Sequence, residues 1–351
     1  MKKILIIDDS ALMRRVLSDI INRTNEYRAE YIASNGIEGL KILSEHDDIM
    51  AIFCDLNMPK MNGLEFLSAL KHRGIKIPVF MISSNEDVAN TIAALSAGAL
   101  EFIKKPERIM AESAKFESVI MKTLAIANEY RDFDESQTQT HNVIKKDTST
   151  NPVIKKGSKR KKLVALVCST GGPRALQYVI PKLPANLDAP VVIVQHMPAG
   201  FTKSLSERLD SMSQISVKEA EDNEILQKGK VYIAKGGTHL TVQTKNRVSR
   251  IVFDDSPAVV GLKPCGNIMY NSLQSVDFDQ IICVVLTGMG ADGTKGITEL
   301  SAHKEIYVIS QNEDTCTVYG MPKAIYESGI VDCVCGINNV AEEIIMKVGV
   351  Q

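Results

Sequence analysis

Short apolar runs rich in β-branched residues recur through this chain, each breaking off at a polar residue or a glycine and each followed by an amphipathic stretch. Runs of four to seven such residues suit strands buried on both faces. Separated by helix-length segments, they read as βαβ units, which build parallel sheets rather than bundles or sandwiches. Residues 4–7, 50–54, 78–82 and 99–103 read this way in the first half, and 163–167, 190–194 and 280–286 in the second. Between the halves the pattern stops: 132–162 is polar, Ser/Thr-rich and poor in aromatics, the composition of a linker. Its last eight residues hold six basic side chains, read as a solvated hinge run rather than an anion or membrane-surface patch. The expected organisation is one α/β domain over 1–125, a linker over 126–161, and a second α/β domain with a mainly parallel, doubly wound sheet over 162–349.

Charge and apolar run length exclude several classes. Lys and Arg number 41 against 42 Asp and Glu, so no global basic field points to nucleic acid as partner. No apolar run reaches the ~18 residues of a membrane span, and the first run meets Asp8 and Asp9 at once, unlike a signal peptide. Neither membrane insertion nor secretion is expected. Seven cysteines without CxxC spacing read as reduced thiols of a cytoplasmic protein.

In the first half, Asp8 and Asp9 follow the first run, Asp55 ends the next, Ser83 follows the third and Lys105 the last. Ends of parallel strands face one crevice, where ligands bind in such sheets. Three converging carboxylates repel unless a cation sits among them, and Mg²⁺ takes such hard oxygen ligands. Asp8, Asp9 and Asp55 therefore form a metal-site candidate. Asp55 is then a phospho-acceptor, with Lys105 and the Ser83 hydroxyl on phosphoryl oxygens. Each Asp taken alone reads more readily as a helix cap; the five polar residues together at the strand ends do not.

With IDDS near the start, Met58-Pro59 and Asn62-Gly63 behind Asp55, MIS at 81–83 and Lys105-Pro106, this half resembles the receiver domain of bacterial response regulators. The resemblance implies a flavodoxin-like, doubly wound (βα)5 fold in which phosphorylation of Asp55 moves Ser83 and Phe102. It also implies a histidine kinase as phosphodonor.

In the second half, 163–167 is followed by Cys168-Ser169-Thr170-Gly171-Gly172-Pro173, a strand–tight turn–helix reading that exposes Ser169 near backbone N–H groups. That turn suits a nucleophile, a phosphate-binding loop or an N-cap alike. His196 ends the next run one crossover later, and the run at 280–286 leads into Thr287-Gly288-Met289-Gly290-Ala291-Asp292-Gly293. A serine hydroxyl needs a histidine to take its proton, and the histidine needs a carboxylate to fix its tautomer. Ser169, His196 and Asp292 can fill these roles, with the Met289 amide holding the oxyanion.

Through CSTGGP, QHMPAGFTKSLSERL, VYIAKGGTHL, LTGMGADGTKGI and TCTVYGMPKAI, residues 160–349 resemble the catalytic domain of the chemotaxis protein-glutamate methylesterases, the CheB family. The resemblance implies hydrolysis of γ-glutamyl methyl esters on cytoplasmic chemoreceptor helices with release of methanol, no cofactor for that step, and deamidation of receptor glutamines. It matches Ser169, His196 and Asp292 to the family triad, and Thr170 and Met289 to positions beside the nucleophile and in the oxyanion region.

The chain departs from the family where Arg-Pro-Ser-Val-Asp is usual and Lys263-Pro264-Cys265-Gly266-Asn267 stands here. The exchange reads as loss of a structural ion pair, the alternative being a segment that shapes the cleft. Gly237 replaces a frequent Asp, so His239 reads as a cleft-lining or structural residue, and Cys168 as a buried small residue. The implied mechanism is an esterase whose access is switched by phosphorylation. Two other readings are a catalytically silent receptor-binding scaffold and a DNA-binding regulator, against which the second half lacks a helix-turn-helix pair.

Overall fold

The computed structural model describes residues 1–83, 88–106, 109–130, 144–145 and 160–351. Most of the polar stretch, with Lys155, Lys156 and Lys159 of its basic run, lies outside the described residues. The chain forms two compact units, Met1–Asp132 and Phe133–Gln351.

In the first unit, strands β1 (Lys2–Ile7), β2 (Tyr27–Ala33), β3 (Ile49–Asp55), β4 (Val79–Ser83) and β5 (Glu101–Lys104) alternate with helices α1 (Ala11–Asn22), α2 (Gly36–Glu45), α3 (Gly63–His72), α4 (Val88–Ala97) and α5 (Ile109–Glu129). All pairings are parallel, in the order β2-β1-β3-β4-β5. Ile4 to Ile7 and Ala51 to Cys54 are wholly buried, which is why these strands read as continuous apolar runs. Strand β2 lies at the edge, with Tyr27 and Ala33 buried and Arg28 exposed, so it has no such run. Local polar residues start the helices. Ser10 and Asn35 cap α1 and α2, and Asn62 with Glu65 forms a reciprocal capping box on α3, at 3.0 and 2.8 Å. The strand order reverses between β1 and β3, so Asp8, Asp9 and Asp55 meet at the switch point where such sheets bind ligands.

The second unit runs β6 (Ile144–Lys145), β7 (Lys162–Cys168), α6 (Gly172–Val179), β8 (Val191–Gln195), α7 (Phe201–Met212), β9 (Ser216–Glu219), β10 (Lys230–Ile233), β11 (His239–Lys245), β12 (Val248–Asp254), α8 (Gly266–Ser272), β13 (Gln280–Val285), α9 (Thr294–Ser301), β14 (Glu305–Gln311), α10 (Gly320–Glu327), β15 (Cys333–Cys335) and α11 (Ile337–Val348). The main sheet has the order β6-β15-β14-β13-β7-β8-β10-β9 and is parallel except for the short β6 edge; β11 and β12 form a separate hairpin.

Burial again explains the sequence pattern. Leu163, Ala165 and Val167 of β7, Val192 and Val194 of β8, and Ile281, Cys283 and Val285 of β13 point to one face at period two and join one buried cluster. Met269 and Tyr270 of α8 and Leu273 just after it pack into it, and the Tyr270 hydroxyl donates to Ala165 O at 2.8 Å. Each fully buried aliphatic side chain there is worth about 1.5–3 kcal/mol. The chain leaves β7 for β8 on one side and returns to β13 on the other, so the switch point of this sheet lies at the C-terminal ends of β7 and β13.

Candidate functional site

Three strand ends converge in the second unit. Register pairs Cys168 of β7 with Gln195 of β8 and Val167 with Val285 of β13, so Ser169 emerges between His196 and the turn at 287–293. The backbone ties the three ends together: Ser169 N donates to Thr287 O at 3.0 Å and His196 N to Cys168 O at 3.3 Å. Gly171, at φ +76°, turns the chain into α6 directly after this point. A side chain at 288 would meet Ser169 Cβ at 2.8 Å and Met321 Sδ at 2.4 Å, so only glycine lets the two turns close on each other.

His196 Nε2 lies 2.7 Å from Asp292 Oδ2, and both side chains are nearly buried. A carboxylate accepts, so this nitrogen carries a proton, and in the neutral imidazole Nδ1 is then the one with the lone pair. Burial pushes the Asp292 carboxyl up, but the hydrogen bond and charge of His196, helped by Cys265 and Gly266, outweigh it and hold the pKa at about 2. No hydrogen bond joins Ser169 Oγ to the imidazole; such bonds are often long before substrate binds. The Met289 amide has no hydrogen-bond partner among the described residues, while the Thr170 carbonyl accepts from Thr287 Oγ1 at 3.0 Å.

Tertiary packing adds residues that the sequence did not single out. Gln195 is buried, and its Nε2 lies 3.0 Å from Ser169 O and 3.4 Å from His196 O, tying both strand ends to one amide, while its Oε1 takes the Cys168 thiol at 3.0 Å. Cys168 is therefore a buried small residue whose thiol is pushed far up by burial. In residues 263–267 the charged and the polar members turn different ways, Lys263 Nζ lying 4.0 Å from Asp255 Oδ1. Lys263 Nζ donates to Asp255 O at 2.9 Å, whereas Cys265, Gly266 and Asn267 turn to Asp292. Residues 265–267 thus lie against Asp292, the placement that the cleft-shaping alternative calls for. His239 is fully buried and its Nε2–H donates to Pro257 O at 3.2 Å, a structural placement.

In the first unit Lys105 Nζ lies 2.7 Å from Asp55 Oδ2 and 3.0 Å from Asp8 Oδ2, and the Lys105 amide donates to Ser83 O at 2.8 Å. Arg14 Nη1 donates to the carbonyls of Asp8 and Asp9 at 2.6 and 3.0 Å, shaping the loop that presents them. Burial pushes Asp55 up to about 6; the Lys105 hydrogen bond opposes that, and the Asp8 charge adds to it. One oxygen from each of Asp8, Asp9 and Asp55 lies within 4.8 Å of the others, and buried Asp8 Oδ2 accepts no well-aligned hydrogen bond despite its ion pair. A crowded carboxylate set with a spare buried oxygen fits a hard divalent cation. Ser83 Oγ accepts from Thr91 Oγ1 of α4 at 3.0 Å, and Phe102 is half-buried beside Met81 in register.

Fold and site together define a class: an acid-clustered receiver-type α/β unit followed by an α/β unit with serine, histidine and aspartate at its switch point. The family comparisons agree in both halves. Residues 4–113 match the response regulator receiver domain, and 164–344 match the CheB methylesterase. A protein-glutamate methylesterase/protein-glutamine glutaminase of Geobacillus kaustophilus is 38% identical over 99% of both chains, and one of Thermotoga maritima is 37% identical over 98% of this chain and 97% of its own. The crystal structure of the Thermotoga maritima CheB methylesterase catalytic domain aligns with a TM-score of 0.52 and 42% identity, covering 54% of this chain and 99% of that one. The chain belongs to the CheB methylesterase family, with a receiver domain at its N-terminal side. Among the described residues no helix is long and apolar enough to cross a membrane.

Proposed function

We propose that this protein is a phosphorylation-activated protein-glutamate methylesterase and glutaminase acting on methylated chemoreceptors in the cytoplasm. The catalytic domain is assigned to 162–349 and the receiver to 1–125, with 126–161 between them. The observation that carries the reading is the buried His196–Asp292 pair at 2.7 Å, with Ser169 and His196 each following directly on the paired residues Cys168 and Gln195.

In this reading Ser169 Oγ attacks the ester carbonyl and passes its proton to His196 Nδ1, the nitrogen left free by the bond to Asp292. Asp292 holds the ring's orientation and stabilises the imidazolium. The Met289 amide, with Thr170 adjoining the nucleophile, would hold the oxygen on which charge develops, a contribution of about 3 kcal/mol per donor. Collapse of the tetrahedral intermediate expels methanol, protonated by the imidazolium, and water then releases the γ-carboxylate by the same steps. A glutamine side chain would follow the same route with ammonia as leaving group.

In the receiver, Asp55 accepts the phosphoryl group from a histidine kinase, Lys105 pairs with a phosphoryl oxygen, and Ser83 and Phe102 change position. Asp8, Asp9 and Asp55 would hold Mg²⁺, which supplies neutralisation of phosphoryl charge when bound. The test is methanol release from methylated chemoreceptor membranes with and without a small-molecule phosphodonor. Stimulated release that disappears in both Ser169→Ala and Asp55→Ala is expected. Equal release from Ser169→Ala would sink the nucleophile assignment, and no release from the unaltered chain would favour a receptor-binding scaffold.

A further inference from the structure

Asp292 stands in a turn between Gly290 at φ +84° and Gly293 at φ +96°, backbone that by itself constrains a carboxylate little. The constraint comes from the entry to α8. The Asn267 amide donates to Asp292 Oδ1 at 3.0 Å, the Cys265 thiol to the same oxygen at 3.1 Å, and the Gly266 amide to Oδ2 at 2.5 Å. Oδ2 also accepts from His196 Nε2. Four donors on two oxygens leave the carboxylate no free rotation.

The hold is reciprocal. Asn267 Oδ1 accepts from the amides of Gly293 at 3.1 Å and Gly296 at 2.8 Å, donors of the first turn of α9, which Asp292 itself precedes. Gly266 has no room for a side chain: a Cβ there would lie 2.7 Å from Val167 Cγ2 and 3.0 Å from Asp292 Oδ2. The whole segment is anchored from below by Met269 and Tyr270, fully buried in the core.

We infer that Cys265, Gly266 and Asn267 are positioning residues for the esterase reaction, a clasp that locks Asp292 in the rotamer that orients His196. This rests on the role proposed above for Asp292. The thiol is a weak donor, so a hydroxyl at 265 can replace it, whereas a methyl group leaves Oδ1 short of one bond in a buried site. Removing the Asn267 side chain frees both the α9 amides and, through them, the backbone that carries Asp292.

The test uses the full chain with a phosphodonor and methylated chemoreceptor membranes, together with the downfield proton NMR signal of His196 Nε2–H. Asn267→Ala is expected to lower kcat about 10–100-fold with KM within about twofold, since misplacement of a catalytic group by 1 Å is that costly. The Nε2–H signal should move upfield and broaden. Cys265→Ala should lower kcat about two- to tenfold, the size of one lost hydrogen bond, with Cys265→Ser recovering it. Should Asn267→Ala fail to fold, the Cys265 pair decides alone. Unchanged kcat and an unchanged Nε2–H signal in the Cys265→Ala and Asn267→Ala variants that fold would overturn the clasp. If the unaltered chain shows no Ser169-dependent turnover, the esterase reading fails separately; a signal that still shifts then supports the clasp as geometry, and one that does not removes it too.

Discussion

Asp292 shows how a residue's burial and its partners compete. Burial alone would raise its pKa; the imidazole, helped by the Cys265 thiol and the Gly266 amide, reverses the sign and holds it at about 2 against an ordinary 3.8. A depressed folded-state pKa stabilises the fold above the unfolded value, and that stability is lost as pH falls through the folded one. Asp292 should therefore contribute about 2 kcal/mol at neutral pH, vanishing between pH 4 and 2. Asp292→Asn is expected to lose that amount in chemical denaturation at pH 7, with the gap to the unaltered protein closing in acid. Its esterase kcat should fall about 10⁴-fold, the cost of the wrong imidazole tautomer. Ser169, His196 and Asp292 were legible as candidates because a serine, a histidine and an aspartate each follow or end an apolar run. Gln195 was not, and Cys265 and Asn267 stood out only as part of a departure from the family pattern, because nothing local marks a side chain whose partner is a distant strand end or a carboxylate 25 or more residues away.

At the scale of elements, turns decide more than strands do. Gly288 lets the loop after β13 close on Ser169, so Gly288→Ala should displace the serine and lower kcat about 100-fold, measured beside the thermal midpoint to separate misplacement from unfolding. Asn62 caps α3 behind Asp55 in both directions, and Asn62→Ala should cost about 1 kcal/mol in the receiver's unfolding transition while leaving the esterase unit's transition in place. Central strands were readable because both faces are buried. Strand β2 was not, since an edge strand exposes alternate residues, and β9, β10 and β15 are three or four residues long, too short for periodicity to separate from a turn. The hairpin of β11 and β12 departs from the βαβ pattern without disturbing the switch point, because it stands outside the main sheet.

For the whole molecule, the two units join a phospho-acceptor to a hydrolase in one chain. If the receiver restrains the esterase, removal of residues 1–150 should raise basal methanol release about tenfold, within the usual range of coupling free energies, and make it indifferent to phosphodonor. A lower or unchanged rate from a folded fragment would show activation by a different route. In the full chain, Asp55→Ala should retain basal turnover but lose stimulation.

The class of fold and the chemical inventory at the strand ends are legible in the residues alone, because strand and helix periodicity and the turn residues between them are local properties. The sequence also carried the family resemblance through contiguous motifs. Which strand ends become neighbours was decided only by the tertiary structure. The order β8-β7-β13 places residues 169, 196 and 292 together although long stretches of chain separate them. Sheet order is settled by the packing of whole faces, and by hydrogen bonds such as those of Gln195, Cys265 and Asn267, which exist only once the distant segments have met.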